Sequence, residues 1–360
     1  MTDNMKFAYT ASYTTESNAY NRYASGNGIH VYRINSDKWE EIQEVQENNP
    51  SFIGFNKDKC VLYAAQSATE NCQLEGIVSY SVNHVTGMLK KTPKQLKLGK
   101  AICCFSVHPS GKYMIVADFK GIIYVISLCD DSTLNCITDT VALEGQLGPL
   151  KNVQKCSRPH QIPFDLDGRY IVIPDKGFDL VHVYQLNTET GKLARIEQTE
   201  IRPTSCARHI AFHPDRKRLY MTTEYTSKVY VFDYDAIHGH IIPRQIISSE
   251  RDSYVGNYCK NSEIVVHPNG KFVYVSNRGD NTITILSINE TSGLLKPVNW
   301  VETHGEIPRF FCLNEKGTKM YVGNQKTGTI ETFSVDKNGA ELIWEQKTIQ
   351  VPCPTWILFL

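Results

Sequence analysis

The sequence predicts an all-β protein, a seven-bladed β-propeller built from four-stranded blades. Three observations support this prediction. A strand–turn–strand pattern recurs along the whole chain, its period is about fifty residues, and the two chain ends carry complementary halves of one repeat. A period of this size is typical of propeller blades, each of which is a small antiparallel sheet.

The repeat consists of an apolar run, a tight polar turn and a second apolar run. Its clearest copies are RHIAFHPDRKRLYMTTEY, SEIVVHPNGKFVYVSNRG and RFFCLNEKGTKMYVGNQ. β-Branched and aromatic residues alternate within each run, as is typical of strands. Turns such as HPNG and DLDG carry glycine where the backbone needs a positive φ. The copies of this turn align at Lys59, Gly111, Gly168, Arg216, Gly270 and Gly317.

The two chain ends supply the remaining copy. KFAYTASY near the N-terminus has the pattern of a second strand, and PTWILFL (residues 354–360) has the pattern of a first strand. We therefore expect these two segments to pair in one blade, which closes the ring and removes an exposed sheet edge. Residues 1–360 are expected to form this single propeller domain. We call the blade completed by the termini blade one and number the others along the chain.

Composition and charge narrow the range of functions. The chain has 360 residues, of which 38 are basic and 38 acidic, and this balance argues against nucleic acid or an anionic membrane as the main partner. No apolar run approaches the roughly 18 residues of a membrane span, and the first residues lack an apolar signal segment. The 11 cysteines lack paired metal-type spacings, so we expect free thiols in a reducing cytoplasm and no metal. The oligomeric state is left open.

One long segment departs from the repeat. Residues 129–158 are predicted to be the longest irregular stretch, and loops of this length are usually functional or disordered. The segment leads directly into His160. It is therefore predicted to be either a solvated loop or a lid over one mouth of the central channel.

The polarity of the strands predicts where the chemistry lies. In each blade the first strand lines the channel and the second returns antiparallel to it. Residues eight before and eight after the turn therefore lie near the same end of the molecule. The eight-before positions, here called the inner ring, are Ser51, Cys103, His160, Arg208, Ser262, Arg309 and Thr355. The eight-after positions, here called the return ring, are Tyr13, Ser67, Phe119, Lys176, Glu224, Arg278 and Gln325.

The two rings predict a cationic channel mouth. They carry four cations, Lys176, Arg208, Arg278 and Arg309, against the single carboxylate of Glu224. Such a cluster in a concave site favours an anionic small molecule. The planar fork of arginine can hold two oxygens of a carboxylate or phosphate at once.

His160 is the candidate proton acceptor of this mouth, since the ordinary pKa of histidine lies near neutrality. Glu224 could orient His160, act as a second acid or base, or pair with an arginine. Each residue also has a structural alternative. A charged side chain at a strand end is often solvated or held in an ion pair, Lys176 could point outward, and His160 could be a structural histidine.

The other histidines of the repeats are predicted to be structural. His209 follows a ring position, His182 lies in an apolar run and is expected to be packed, and His108, His213 and His267 open turns and are expected to be exposed. Alternative chemistries find little support. Cys104 is a candidate nucleophile without an evident base, and the sequence has no Gly-rich phosphate loop, zinc pattern or nucleophile elbow.

Blades four to seven resemble a known family. CARHIAFHPDRKRLYMTTEYTSKVYVF, SEIVVHPNGKFVYVSNRGDNTITIL, IPRFFCLNEKGTKMYVGNQ and RPHQIPFDLDGRYIVIPDKG are similar to the seven-bladed propeller lactonases, which include propeller-type 6-phosphogluconolactonases and fungal carboxymuconate cyclases. The likeness covers essentially the whole chain. It implies a lactone-opening or lactone-forming activity without metal or cofactor. The family's site His, Arg, Glu and Arg match His160, Arg208, Glu224 and Arg278 here.

Several positions depart from the family pattern. Ala207 and Thr223 stand where Pro and Asn often precede the site arginine and glutamate. Cys104 and Arg158 replace frequent histidines, and Asp118 replaces a frequent asparagine. The four core residues are intact, so these changes bear on the substrate. The candidate substrate-binding residues are Arg309, Lys176, Arg158 and Gln325.

The resemblance and the cationic mouth together favour a hydrolase acting on an anionic sugar lactone, of the 6-phosphogluconolactonase type. In this hypothesis His160 activates water, Arg208 and Arg278 bind the anionic group and the oxyanion, and Glu224 assists proton transfer to the leaving oxygen. A second hypothesis is a cycloisomerase that closes a muconate-type dicarboxylate to a lactone. A third is a non-enzymatic propeller scaffold, since fold alone does not fix function.

Overall fold

Seven antiparallel β-sheets form the protein in the computed structural model, which describes residues 6–15, 23–35, 38–67, 76–93, 96–98, 102–256 and 258–360. These residues contain no helix, and therefore none long and apolar enough to cross a membrane. The predicted seven-bladed propeller is confirmed.

The strands follow one another blade by blade. Blade one contains β1 (Phe7–Ser12), β2 (Gly28–Asn35) and β3 (Lys38–Gln46). Blade two contains β4 (Pro50–Phe55), β5 (Val61–Gln66), β6 (Gly76–Val82), β7 (Leu89–Lys91) and β8 (Leu96–Lys97). Blade three contains β9 (Ile102–Val107), β10 (Tyr113–Asp118), β11 (Ile122–Leu128) and β12 (Leu134–Ala142). Blade four contains β13 (Tyr170–Asp175), β14 (Leu180–Asn187) and β15 (Lys192–Glu200).

The remaining blades have four strands each. Blade five contains β16 (Ala207–Phe212), β17 (Arg218–Thr223), β18 (Lys228–Asp235) and β19 (His240–Ser248). Blade six contains β20 (Lys260–Val266), β21 (Phe272–Arg278), β22 (Thr282–Ile288) and β23 (Leu295–Glu302). Blade seven contains β24 (Pro308–Leu313), β25 (Lys319–Asn324), β26 (Thr329–Val335) and β27 (Leu342–Gln350). The last strand, β28 (Pro354–Phe359), returns to blade one.

The chain ends close the ring as predicted. β28 pairs antiparallel with β1, so that Tyr9 faces Leu358 and Ala11 faces Trp356. The indole of Trp356 lies 4.2 Å from the ring of Phe52 in blade two, measured between centroids. The closing strand therefore supplies the innermost position of blade one and packs against the next blade.

The alignment of the turns is also confirmed. All six aligned turn positions have positive φ angles between 55° and 73°, including the two that are not glycine, Lys59 and Arg216. Three turn histidines then link neighbouring blades. In each, Nε2 lies within 3.0 Å of a glycine carbonyl oxygen in the turn of the next blade, in the pairs His108–Gly168, His213–Gly270 and His267–Gly317.

The expectation that these three histidines are exposed is wrong. Their exposed fractions are only 8% for His108, 8% for His213 and 5% for His267, because the neighbouring blade covers each ring. His182 is fully buried, as expected from its apolar run.

Blade four departs from the repeat at its innermost position. In place of a continuous strand, residues 159–164 make only two isolated bridges, Pro159 with Asp175 and Phe164 with Ile171. Pro159 and Pro163 lack a backbone N–H, so this segment cannot form a regular ladder. His160 therefore lies on an irregular piece of backbone beside β13.

The predicted irregular stretch 129–158 is only partly irregular. β12 (Leu134–Ala142) runs through it as the outer strand of blade three. This strand was missed because most of its side chains are exposed, which weakens the apolar alternation that reveals inner strands. Only residues 143–158 form the connection that leads to blade four.

Candidate active site

A narrow cavity lies at the channel mouth, where the inner ring was predicted. Its lining residues are Tyr13, Ser51, Phe52, Cys103, Phe119, His160, Arg208, His209, Arg309, Thr355 and Trp356. Six of the seven inner-ring residues are among them, so the strand argument placed this set correctly. The cavity has an empty volume of ≈ 370 Å³, but it is so narrow that it admits about one water molecule.

The inner-ring side chains reach the mouth through a repeated irregularity of the backbone. In six blades the register between the two innermost strands shifts at the ring position. In blade seven, for example, Pro308 faces Asn324 and Phe310 faces Gly323, which leaves Arg309 unpaired. An extra residue of this kind is a β-bulge, which re-aims a side chain and is common next to active sites.

Arg208 connects the cavity to a buried charge cluster around Glu224. Lys176 Nζ donates to Glu224 Oε2, and Arg208 Nε lies 3.3 Å from the same oxygen. Arg278 Nη2 lies 3.4 Å from the other oxygen, Oε1. All four side chains are 5% exposed or less. Three cations share one carboxylate, so the cluster carries two positive charges in excess.

Blade six holds the two arginines of this cluster in place. Arg208 Nη1 donates to the carbonyl oxygen of Ser262 at 2.6 Å, and Arg278 Nη2 donates to that of Asn261 at 3.0 Å. The Nε atoms of both arginines are buried and make no hydrogen bond to the described residues, although that of Arg208 lies close to Glu224 as an ion pair. Buried cations without full compensation are costly, and a bound anion would relieve that cost.

The environment of Glu224 selects one of its predicted roles. Burial alone would raise the pKa of this carboxyl group, but the charges of Lys176, Arg278 and Arg208 outweigh burial and hold the pKa well below its usual range. Glu224 is therefore ionised near neutral pH and acts as the shared counter-ion. Lys176, which could have pointed outward, points inward, and burial lowers its pKa to about 8 against the opposing effect of Glu224.

His160 is neutral at physiological pH. Burial lowers its pKa well below 6.5, and the positive charges of Arg208 and Lys176 lower it further. Its Nδ1 lies 3.2 Å from Nε2 of His209, and its ring also packs edge-on against Phe119. A neutral imidazole on a cavity wall can accept a proton, as the sequence suggested.

His209 was missed as a member of the site. It was predicted to be structural. Side chains alternate along a regular strand, so in such a strand a residue next to Arg208 would point away from the mouth. The bulge in β16 overrides that rule: Ala207 pairs with Thr223 and Ile210 with Met221, which leaves both Arg208 and His209 opposite Thr222. The sequence carries no signal for this bulge.

The four candidate substrate-binding residues have different positions. Arg309 lines the cavity and donates from Nη2 to the hydroxyl of Tyr13 at 2.9 Å. The guanidinium of Arg158 lies 5.0 Å from the ring centroid of Phe119. Lys176 belongs to the charge cluster, and Gln325 is buried with its amide 3.7 Å from the sulfur of Cys353. The residues that line the cavity do not include Arg158, Lys176, Glu224, Arg278 or Gln325.

The connection 143–158 ends beside the mouth. Arg158 accepts a backbone hydrogen bond from Lys176 at 3.0 Å, and Cys156 Sγ donates to the carbonyl oxygen of Phe119 at 3.3 Å. Ser157 Oγ donates to Asp175 at 2.5 Å. These bonds fix the end of the segment against the rim next to His160.

Comparison with known proteins agrees with this architecture. Over 337 residues the chain is 29% identical to a 6-phosphogluconolactonase of Bacillus subtilis, covering 92% of this chain and 94% of the relative. It is 28% identical over 330 residues to a 6-phosphogluconolactonase of Formosa agariphila, covering 88% and 91%. The periplasmic gluconolactonase of Pseudomonas aeruginosa shares the fold, with a TM-score of 0.86, 22% identity and 98% of each chain covered.

The match to a family extends over nearly all of the chain. Residues 7–359 fit the family described as "Lactonase, 7-bladed beta-propeller". The matched segment includes the cavity, the charge cluster and both strands that close the ring. The chain therefore belongs to the seven-bladed β-propeller lactonase family.

Proposed function

We propose that the protein hydrolyses an anionic sugar lactone, with 6-phosphogluconolactone as the leading substrate. The observation that carries this proposal is the excess of buried positive charge around Glu224, next to a cavity whose wall holds a neutral histidine. The relatives named 6-phosphogluconolactonase support the choice of substrate.

The reaction needs a base, an oxyanion site and a proton donor. His160 takes a proton from water while the water oxygen attacks the lactone carbonyl carbon. The carbonyl π electrons move to its oxygen, where the guanidinium of Arg208 stabilises the negative charge. When the tetrahedral intermediate collapses, the ring C–O bond breaks and His160 returns the proton to the leaving oxygen. The product is a hydroxy acid, and no covalent enzyme intermediate is required.

The cavity gives water a place in this scheme. Its narrow space suits about one water molecule, and His160 and Arg208 are both among its lining residues. In this scheme the lactone binds over that water at the mouth. Arg309 and Arg158 lie at positions suited to the phosphate or carboxylate of the substrate. Arg278 and Lys176 add positive potential from the buried cluster. Glu224 keeps these cations in place rather than transferring a proton.

The relatives named 6-phosphogluconolactonase favour the hydrolase over the cycloisomerase. The scaffold alternative leaves the buried excess of positive charge without a role. We also propose a cytoplasmic location, because the ten described cysteines are all free thiols, as expected in a reducing compartment.

The test is a panel of lactones assayed with two variants. His160→Ala is expected to lower kcat by about 10²–10⁴-fold, as for loss of a general base. Arg278→Ala is expected to raise KM for anionic lactones, because the cluster loses one positive charge. His267→Gln, which changes a buried histidine of a distant turn, is the control and should keep wild-type turnover. Wild-type rates for both site variants on every anionic lactone would exclude the assigned site. A wild-type protein that hydrolyses no anionic lactone would exclude the proposal.

A further inference from the structure

We propose that His209 and Glu263 are positioning residues that fix the tautomer of His160; this inference rests on the proposed function. The three side chains form a hydrogen-bonded row. Glu263 Oε1 lies 2.9 Å from His209 Nδ1, and His209 Nε2 lies 3.2 Å from His160 Nδ1. His209 and Glu263 are only 3% and 4% exposed. Neither residue was expected in the site.

The direction of each hydrogen bond follows from the carboxylate end. An ionised carboxylate can only accept, so His209 must carry its proton on Nδ1. In neutral His209 the Nε2 atom is then a bare acceptor, and the hydrogen bond to it must come from a proton on Nδ1 of His160. This leaves Nε2 of His160 with its lone pair exposed. That atom is the one able to take a proton from water.

Burial keeps His209 neutral, as this row requires. It lowers the pKa of His209 against the opposing effect of Glu263, and the positive charges of Arg208 and Arg309 lower the pKa further. With both imidazoles neutral, the hydrogen bonds of the row allow only one tautomer of each ring. Two neutral rings without the carboxylate would be free to exchange tautomers, and half of the arrangements would place a proton on the catalytic nitrogen.

The fold builds this row from two adjacent β-bulges. His209 lies in the bulge of β16, opposite Thr222, and Glu263 lies in the equivalent bulge of β20, opposite Ser276. The backbone N–H of Ile264 also donates to Glu263 Oε1 at 3.0 Å, which holds the carboxylate in place. The second oxygen, Oε2, is buried without a partner among the described residues. The hydrogen bonds from His209 and Ile264 therefore both end on Oε1.

The row also stabilises the positively charged form of His160 that arises during the reaction. When His160 takes the proton from water it becomes an imidazolium, whose Nδ1–H still donates to His209. The negative charge of Glu263, one ring away, stabilises this cation electrostatically. The proton on Nε2 remains available for the leaving oxygen. Loss of Glu263 should therefore slow proton transfer without changing substrate binding.

The experiment combines kinetics with a direct reading of the tautomers. His209→Gln and Glu263→Gln are expected to lower kcat about 10–100-fold, with KM within about 2-fold of wild type. This loss of kcat is smaller than the loss expected when the general base itself is removed. The control is His213→Gln, a buried histidine after the same strand that bonds the carbonyl oxygen of Gly270. This variant should lose stability but keep kcat. A fall in kcat confined to the His209 and Glu263 variants would then reflect their positioning of His160 and not the loss of a buried side chain in general.

Nitrogen-15 NMR of wild-type protein tests the inference even if the variants fail to fold. The spectrum should show His160 and His209 both protonated on Nδ1 at neutral pH, and Glu263→Gln should redistribute the His160 tautomers. A wild-type His160 protonated on Nε2, or an unchanged kcat in both row variants, would overturn the inference. If instead the wild-type protein hydrolyses no anionic lactone, the proposed function itself fails.

Discussion

Arg278 Nη2 in blade six lies 3.4 Å from Glu224 Oε1 in blade five, and Lys176 reaches the other oxygen of the same carboxylate from blade four. A single acidic side chain therefore joins three consecutive blades at the channel mouth. The cluster that makes the mouth positive is also a junction of the fold. Changes at Glu224 should alter stability and function together.

Glu224→Gln is expected to destabilise the protein by about 3–5 kcal/mol, as for removal of one partner from a buried ion pair. The substitution leaves Lys176, Arg208 and Arg278 buried without their counter-ion. Urea unfolding measures the free energy of unfolding. Glu306→Gln is the matched control, because Glu306 pairs with Lys326 on the surface. This substitution should lower the free energy of unfolding by less than about 1 kcal/mol. Equal effects of the two substitutions would contradict the role of Glu224.

Acid should weaken the fold through His160 and His209. Their pKa values are lowered by burial in the folded protein, whereas the unfolded chain takes up protons near the ordinary value of 6.5. Below that pH the unfolded state binds more protons, so stability falls as the pH drops from about 7 to about 5. In urea unfolding across this pH range, the free energy of unfolding should fall less steeply for His160→Asn than for wild type. The same slope in both proteins would show that His160 is not held neutral.

Alkaline pH should weaken the binding of anions through Lys176. Its pKa is lowered to about 8, so this side chain loses its charge as the pH rises through that value. The affinity for the product 6-phosphogluconate, measured by calorimetry, should therefore fall between about pH 7 and pH 9. The Lys176→Arg variant keeps its positive charge over this range and should bind 6-phosphogluconate equally well at about pH 7 and about pH 9. A wild-type affinity that does not change with pH would remove Lys176 from the anion site.

The sequence predicted the positions of the rings better than the contacts inside the site. The turn alignment and the two-residue period of strands placed His160, Arg208 and Arg309 on one cavity, since both features are local. The pairing of Lys176 and Arg278 with Glu224 joins separate blades, and no local pattern encodes which cation meets which oxygen. That information appears only when the blades pack.

Backbone irregularities account for the main differences. Against the simple alternation of a strand, His209 in the bulge of β16 lines the cavity, and Glu263 in the bulge of β20 contacts His209. Two prolines interrupt the inner position of blade four beside His160. In both places the repeat predicts a regular strand, and the departure from regularity is what shapes the site.

The most direct test of the cationic mouth compares two lactones that differ only in the presence of a phosphoryl group. We expect kcat/KM for 6-phosphogluconolactone to exceed that for unphosphorylated gluconolactone by about 10²-fold or more, or roughly 2.7 kcal/mol in transition-state binding. Arg309→Gln should reduce this ratio by weakening recognition of the anion. A wild-type protein that hydrolyses the neutral lactone as efficiently as the phosphorylated and carboxylated ones would contradict the account.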